Sequence, residues 1–205
     1  MSDQSIQMVW DKTLIYFHCE NISRLLSMRC FPFNPQALLL VQGTGGGKSE
    51  VVQTVGSIDS GVTLVIVENL DVAANQRSKV VSANGVYGSV LAYPLYPVNQ
   101  KHLEKHSEQK LLSIEPDSNT TIFLYTSSRY LNREPWSSLM VQFINRRVLK
   151  LVVIDEIHLF VVFGTDFGKE FMLLKKAFFR YLLTEKDPGI PILFDYVTTS
   201  RYNCY

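Results

Sequence analysis

The apolar run Leu38-Leu39-Leu40-Val41 stops at Gln42 and gives way to Gly43-Thr44-Gly45-Gly46-Gly47. Lys48-Ser49 then opens a stretch of helical character that carries Val51 and Val52. A buried strand, a glycine-rich turn and a helix N-terminus, in that order, are the parts of a phosphate-binding loop. Glycines let consecutive backbone N–H groups curl round an anion, because a Cβ would block both the turn and the approach. The helix that follows directs the positive end of its dipole at the same anion. Lys48 is then expected to reach the outer phosphates of a nucleoside triphosphate, and the Ser49 hydroxyl to hold magnesium. The strict pattern opens on a glycine where this chain has Gln42, whereas Thr44 to Ser49 keeps the tighter Thr-Gly-x-Gly-Lys-Ser form. The plain alternative is a flexible glycine linker with a chance lysine. It accounts for neither the apolar run before the glycines nor the valines after them.

Strands and helices alternate along the rest of the chain. Pro32 and Pro35 break the segment before the first strand, Ala37 to Val41. After the loop the pattern predicts a helix from Ser49 to Val55, ending near Gly56 and the Gly61 turn, and a strand from Val62 to Val67. A helix from about Leu70 to Ser82 ends at Asn84-Gly85. A strand is expected from Val86 to Leu91, a loop from Pro94 to Pro97, and a charged helix from Lys101 to Leu112. Thr121 to Tyr125, Leu149 to Ile154 and Ile192 to Tyr196 read as strands. Trp136 to Arg146 and Phe171 to Leu183 read as helices. Such alternation indicates an α/β fold, a mostly parallel central sheet with helices on both faces, whose ligands bind at the carboxyl ends of the strands. Residues 1–36 form a helical or irregular lead-in, with Ile22, Leu25 and Leu26 at helical spacing. Residues 37–205 form the folded domain.

Composition removes other classes. With 205 residues, 46% of them hydrophobic and 19% charged, the chain buries a substantial core and is not disordered. A net charge of +1 means that any nucleic-acid contact relies on a local patch. Cys19, Cys30 and Cys204 have neither metal-ligand nor disulfide-framework spacing, which suits a reducing compartment. The polar start lacks a secretory plan, and no apolar run is long enough to span a bilayer.

The most apolar strand ends in a second motif, Asp155-Glu156-Ile157-His158. Carboxylates at the end of a buried strand are costly unless paired, hydrogen-bonded or facing a cation. A nucleotide's magnesium would stabilise Asp155, and Glu156 would accept a proton from the attacking water. The bland alternative is a strand surfacing into a solvated acidic turn. Both motifs fall at carboxyl ends of strands, and that favours the nucleotide reading.

Asp155-Glu156-Ile157-His158 resembles the DExH box of superfamily 2 helicases. The segment behind it, Leu159 to Phe171, is similar to the aromatic-rich loop of RecQ-type DNA helicases, with Phe163 at the family's Trp position and Phe171 at its Tyr position. Thr44 to Ser49 matches the RecQ form of the phosphate loop letter for letter. The resemblance runs from about Ala37 to Ser200. It implies a RecA-like ATP-binding domain in which Gly43, Thr44, Gly45, Gly46, Gly47 and Lys48 hold ATP, and Ser49 and Asp155 hold Mg2+. Lys48, Asp155, Glu156 and His158 are then the catalytic set, with His158 reporting nucleotide state. Phe163 and Phe167 become candidate stacking contacts to single-stranded or partly duplex DNA, and Thr198 and Thr199 candidate nucleic-acid or coupling residues. The resemblance also implies a second motor domain, which this chain lacks and hydrolysis needs. It implies no membrane association, and an intracellular location that is nuclear in a eukaryote and otherwise cytoplasmic.

The departures are specific. Val67-Glu68 replaces the family's serine-proline. Gly168 replaces an arginine of the aromatic loop, and Val161 and Val162 replace polar residues there. Gln36 lies too close to the strand to serve as the adenine-reading glutamine. These leave open a non-catalytic nucleotide- or nucleic-acid-binding relic, and a P-loop ATPase of another family. His102 and His106 flank Glu104, but a metalloprotease helix needs its Glu directly after the first His, where Leu103 stands.

Overall fold

The apolar runs become strands of one sheet. A computed structural model describes residues 37–43, 46–58, 60–67, 71–76, 90–94, 111, 120–158, 178, 182 and 189–198. The strands are β1 (Ala37–Gly43), β2 (Gly61–Ile66), β3 (Val90–Pro94), β4 (Thr121–Thr126), β5 (Leu149–Ile154) and β6 (Ile192–Thr198). They form a six-stranded sheet in the order β1-β6-β5-β2-β4-β3, and every pairing is parallel. This is a RecA-like α/β arrangement. All residues of β2 and β4 are buried, and β5 is buried apart from half-buried Lys150. Continuous apolar strands are what a parallel sheet covered on both faces requires.

Alternate residues of the central strands feed two cores, since successive side chains of a strand point to opposite faces. Leu64 and Ile66 of β2, Leu124 of β4 and Val152 and Ile154 of β5 share one core with Trp136, Leu139, Met140, Phe143 and Ile144. Those five lie at helical spacing on α3 (Trp136–Asn145), which follows the short α2 (Ser128–Leu131). Leu111, Phe178 and Leu182 belong to the same core. Val65, Phe123, Tyr125 and Val153 face the other way, onto Val51, Val52 and Val55 of α1 (Lys48–Ile58). Burying each such side chain stabilises the fold by about 1.5–3 kcal/mol.

The helix expected from Ser49 to Val55 runs through Gly56 to Ile58, ending before the Gly61 turn. A Cβ at Gly56 would sit 2.6 Å from Phe123 Cζ and 2.8 Å from Thr63 Oγ1, so glycine is there for close helix-to-sheet approach rather than to stop the helix. The strand expected from Val86 to Leu91 is described over Val90–Pro94, with residues 86–89 outside the described residues, and Pro94, expected in a loop, is its last residue. β3 is the outermost strand on its side of the described sheet, where a missing ladder donor is tolerated. Residues 71–76 are helical. The lead-in over 1–36, the rest of the helices expected over 70–82, 101–112 and 171–183, and the Asn84-Gly85 stop lie outside the described residues.

Candidate functional site

Parallel pairing puts the carboxyl ends of β1, β6 and β5 side by side, so the loop after β1 and the acidic turn after β5 flank β6. At the first end, Gly46 N–H donates to Gly43 O (3.1 Å), and Gly47 O accepts from Glu50 N (2.9 Å) and Val51 N (3.3 Å) to start α1. Gly47 has φ 78°, a left-handed conformation that a Cβ would strain. The Gln42 side chain lies against Gly46, and a Cβ added there would collide with it. With Gln42 at the position of the usual glycine, an alanine at 46 would require the Gln42 side chain to move. Thr44 and Gly45 lie outside the described residues.

At the second end, Asp155 N–H donates to Ile66 O of β2 at 2.9 Å, which ties the acidic turn to the sheet. Glu156 follows with φ 53°, an unusual conformation for a side-chain-bearing residue and one that recurs at functional turns. Its Oε2 is 3.1 Å from His158 Nδ1. The His158 ring meets the Tyr196 ring edge-on, with centroids 5.2 Å apart.

Lys48, Ser49, Gly46 and Gly47 line one cleft of about 710 Å³ together with Asp155 and Glu156. The two predicted halves of the site are therefore one place. His158 adjoins it through Glu156. Thr198 ends β6 opposite Gly43. Phe163, Phe167 and Thr199 lie outside the described residues.

Two residues that sequence reasoning missed complete the cleft. Gln76, from the helical residues 71–76, donates from Nε2 to Asp155 Oδ2 at 2.8 Å. Asp195 of β6 is only 5% exposed, lines the cleft, and has an Oδ1 without a hydrogen-bond partner. Lys48 Nζ approaches that oxygen to 3.8 Å and Gln42 O to 3.5 Å. Burial, with the charge of Asp155, pushes the Asp195 carboxyl up from 3.8 to about 8, and Lys48 offsets only part of this. Burial and Asp155 also hold the Tyr125 hydroxyl well above its ordinary range, behind the cleft. One signal for Asp195 was legible: a lone carboxylate inside Ile192-Leu193-Phe194-Asp195-Tyr196, where an apolar strand has to turn it toward something polar. Gln76 carried no such signal.

The donor set suits a magnesium-bound triphosphate. Among the described residues no cluster of three or more His, Cys, Asp or Glu could cage a metal. One hydroxyl and one carboxylate beside a glycine loop are what magnesium takes when phosphates and water supply its other ligands. Among the described residues no helix is long and apolar enough to cross a membrane.

Strand order and sheet direction define the class: an α/β domain of RecA-like type. Its resemblance is to the motor domains of superfamily 2 helicases, and among these to RecQ-like enzymes. No family model matches the chain. A Caenorhabditis elegans protein named ATP-dependent DNA helicase Q1 is 26% identical over 159 residues, which cover 76% of this chain and 22% of that protein. The chain thus spans about a fifth of that relative's length. The crystal structure of the UvsW helicase from bacteriophage T4 superposes with a TM-score of 0.46 at 12% identity, over 78% of this chain and 46% of that one.

Proposed function

We propose that this chain is the Mg-ATP-binding first motor domain of a RecQ-like DNA helicase. The observation that carries the reading is the convergence of Gly46-Gly47-Lys48-Ser49 and Asp155-Glu156 on one cleft across β1, β6 and β5. Backbone amides of the loop from Gly43 to Gly47 and the Lys48 ammonium bind the triphosphate. Ser49 and Asp155 hold magnesium, which when bound screens the charge that develops on the phosphates. Glu156 orients the attacking water and takes its proton. His158, in contact with both Glu156 and Tyr196, links the nucleotide end to β6. Phe163, Phe167, Thr198 and Thr199 are the candidate contacts to DNA. Hydrolysis at a useful rate requires a cation from a second motor domain. The location that goes with this function is intracellular, and nuclear in a eukaryote.

ATP turnover with and without single-stranded DNA tests this, for wild type and Glu156→Gln joined to a second motor domain. The expected result is DNA-stimulated turnover that falls by about a hundredfold or more in Glu156→Gln, with ATP binding retained. Equal, negligible rates in every sample would sink the enzyme reading. A second reading, a non-catalytic nucleotide-binding module, is favoured by the way Gln42 and Asp195 engage Lys48 within the chain. It is the one left standing if ATP binds and no sample turns over.

A further inference from the structure

We propose that Gln76 is the positioning residue that aims the Asp155 carboxylate at the divalent cation, a role that rests on the nucleotide reading above. Gln76 and Asp155 are 79 residues apart in the chain, yet Nε2 donates to Oδ2 at 2.8 Å, a well-formed hydrogen bond. Both side chains line the main cleft, and both also line a small void of about 20 Å³ behind it.

This bond is not needed to hold the backbone of the acidic turn. Asp155 N–H already donates to Ile66 O at 2.9 Å, at the end of a fully buried strand. What the amide bears on is the side-chain rotation, together with Asp195, whose side chain also hydrogen-bonds Asp155. With Oδ2 committed to Gln76, the carboxylate has a defined direction from which to meet a cation or its waters. The donor itself is held, because the helical turn that carries it is anchored by buried Ala73, with Val72 packed on the same core as α1.

An amide also has the right charge for the task. A lysine or arginine here would orient Asp155 but would repel the incoming cation and draw the phosphates away from Lys48. A neutral N–H donor fixes the ligand and leaves its charge to the metal. Partners of this kind typically change metal affinity by about 10–100-fold when removed.

The test uses the whole 205-residue chain. Mn2+ is titrated into the ADP-bound protein and read by electron paramagnetic resonance, and ADP affinity is measured separately in EDTA. The variants are Gln76→Leu, which keeps the bulk and removes the donor, and Gln76→Met, which keeps the length of the side chain and also removes the donor. We expect Mn2+ affinity to fall about tenfold in both variants, with ADP affinity in EDTA unchanged. Mn2+ affinity equal to wild type in both variants overturns the role. So does an equal loss of ADP binding with and without metal, which would mark Gln76 as merely structural. If Gln76→Leu fails to fold, Gln76→Met alone decides by the same comparison. Wild-type protein that binds neither ADP nor Mn2+-ADP overturns the nucleotide reading itself, and this role with it.

Discussion

Replacing Asp195 by asparagine tests the electrostatics of the cleft without changing the shape of the side chain. Burial, with the charge of Asp155, pushes the wild-type carboxyl up to about 8 in the folded chain, against 3.8 for an ordinary aspartate. Below pH 4 it is protonated whether folded or not, and its burial carries no ionic cost. Between pH 4 and 8 the unfolded chain gives up the proton and the folded one keeps it, so stability declines as pH rises. Above 8 both forms are ionised and the loss is complete. At ~1.4 kcal/mol per pH unit, the gap between the two values sets an upper limit on the order of 6 kcal/mol, of which relaxation of the site leaves a few. The amide of the Asp195→Asn variant does not ionise in this range and is free of this cost. Urea unfolding of both proteins at pH 5, 7 and 9 should show the variant gaining on wild type from 5 to 8 and no further beyond. A stability difference that is flat across this range would refute the account of Asp195 as a buried acid crowded by Asp155.

Gly46→Ala should force the Gln42 side chain out of the loop and weaken nucleotide binding, and a second change, Gln42→Gly, should restore it. Failure of the double variant to recover would show that the collision is not the cause. Gly56→Ala pushes a methyl group into Phe123 and Thr63, at a cost of about 1–3 kcal/mol read as a lowered urea midpoint. An unchanged midpoint would mean that α1 can lift off the sheet without penalty.

Local patterns were enough for most of the architecture. Buried parallel strands are continuous apolar runs, and Val62 to Val67, Thr121 to Tyr125 and Leu149 to Ile154 declare themselves within a residue or so of their observed ends. The glycine loop and the Asp-Glu turn were legible for a related reason, because the chemistry proposed for them depends on adjacent residues at fixed spacing. Gly56 misled because glycine has two uses, as a helix terminator and as a place for close packing. Only the neighbouring strand distinguishes them.

What no stretch of letters contains is strand order. Once β6 inserts between β1 and β5, Asp195 comes to lie between the two motifs, within 3.8 Å of Lys48 and crowded by Asp155. The same assembly carries Gln76 across to Asp155. Loop and turn can be read one at a time because each is built from neighbours along the chain. The carboxyl of Asp195 and the amide of Gln76 acquire their meaning from neighbours in space, and those exist only after the sheet has formed.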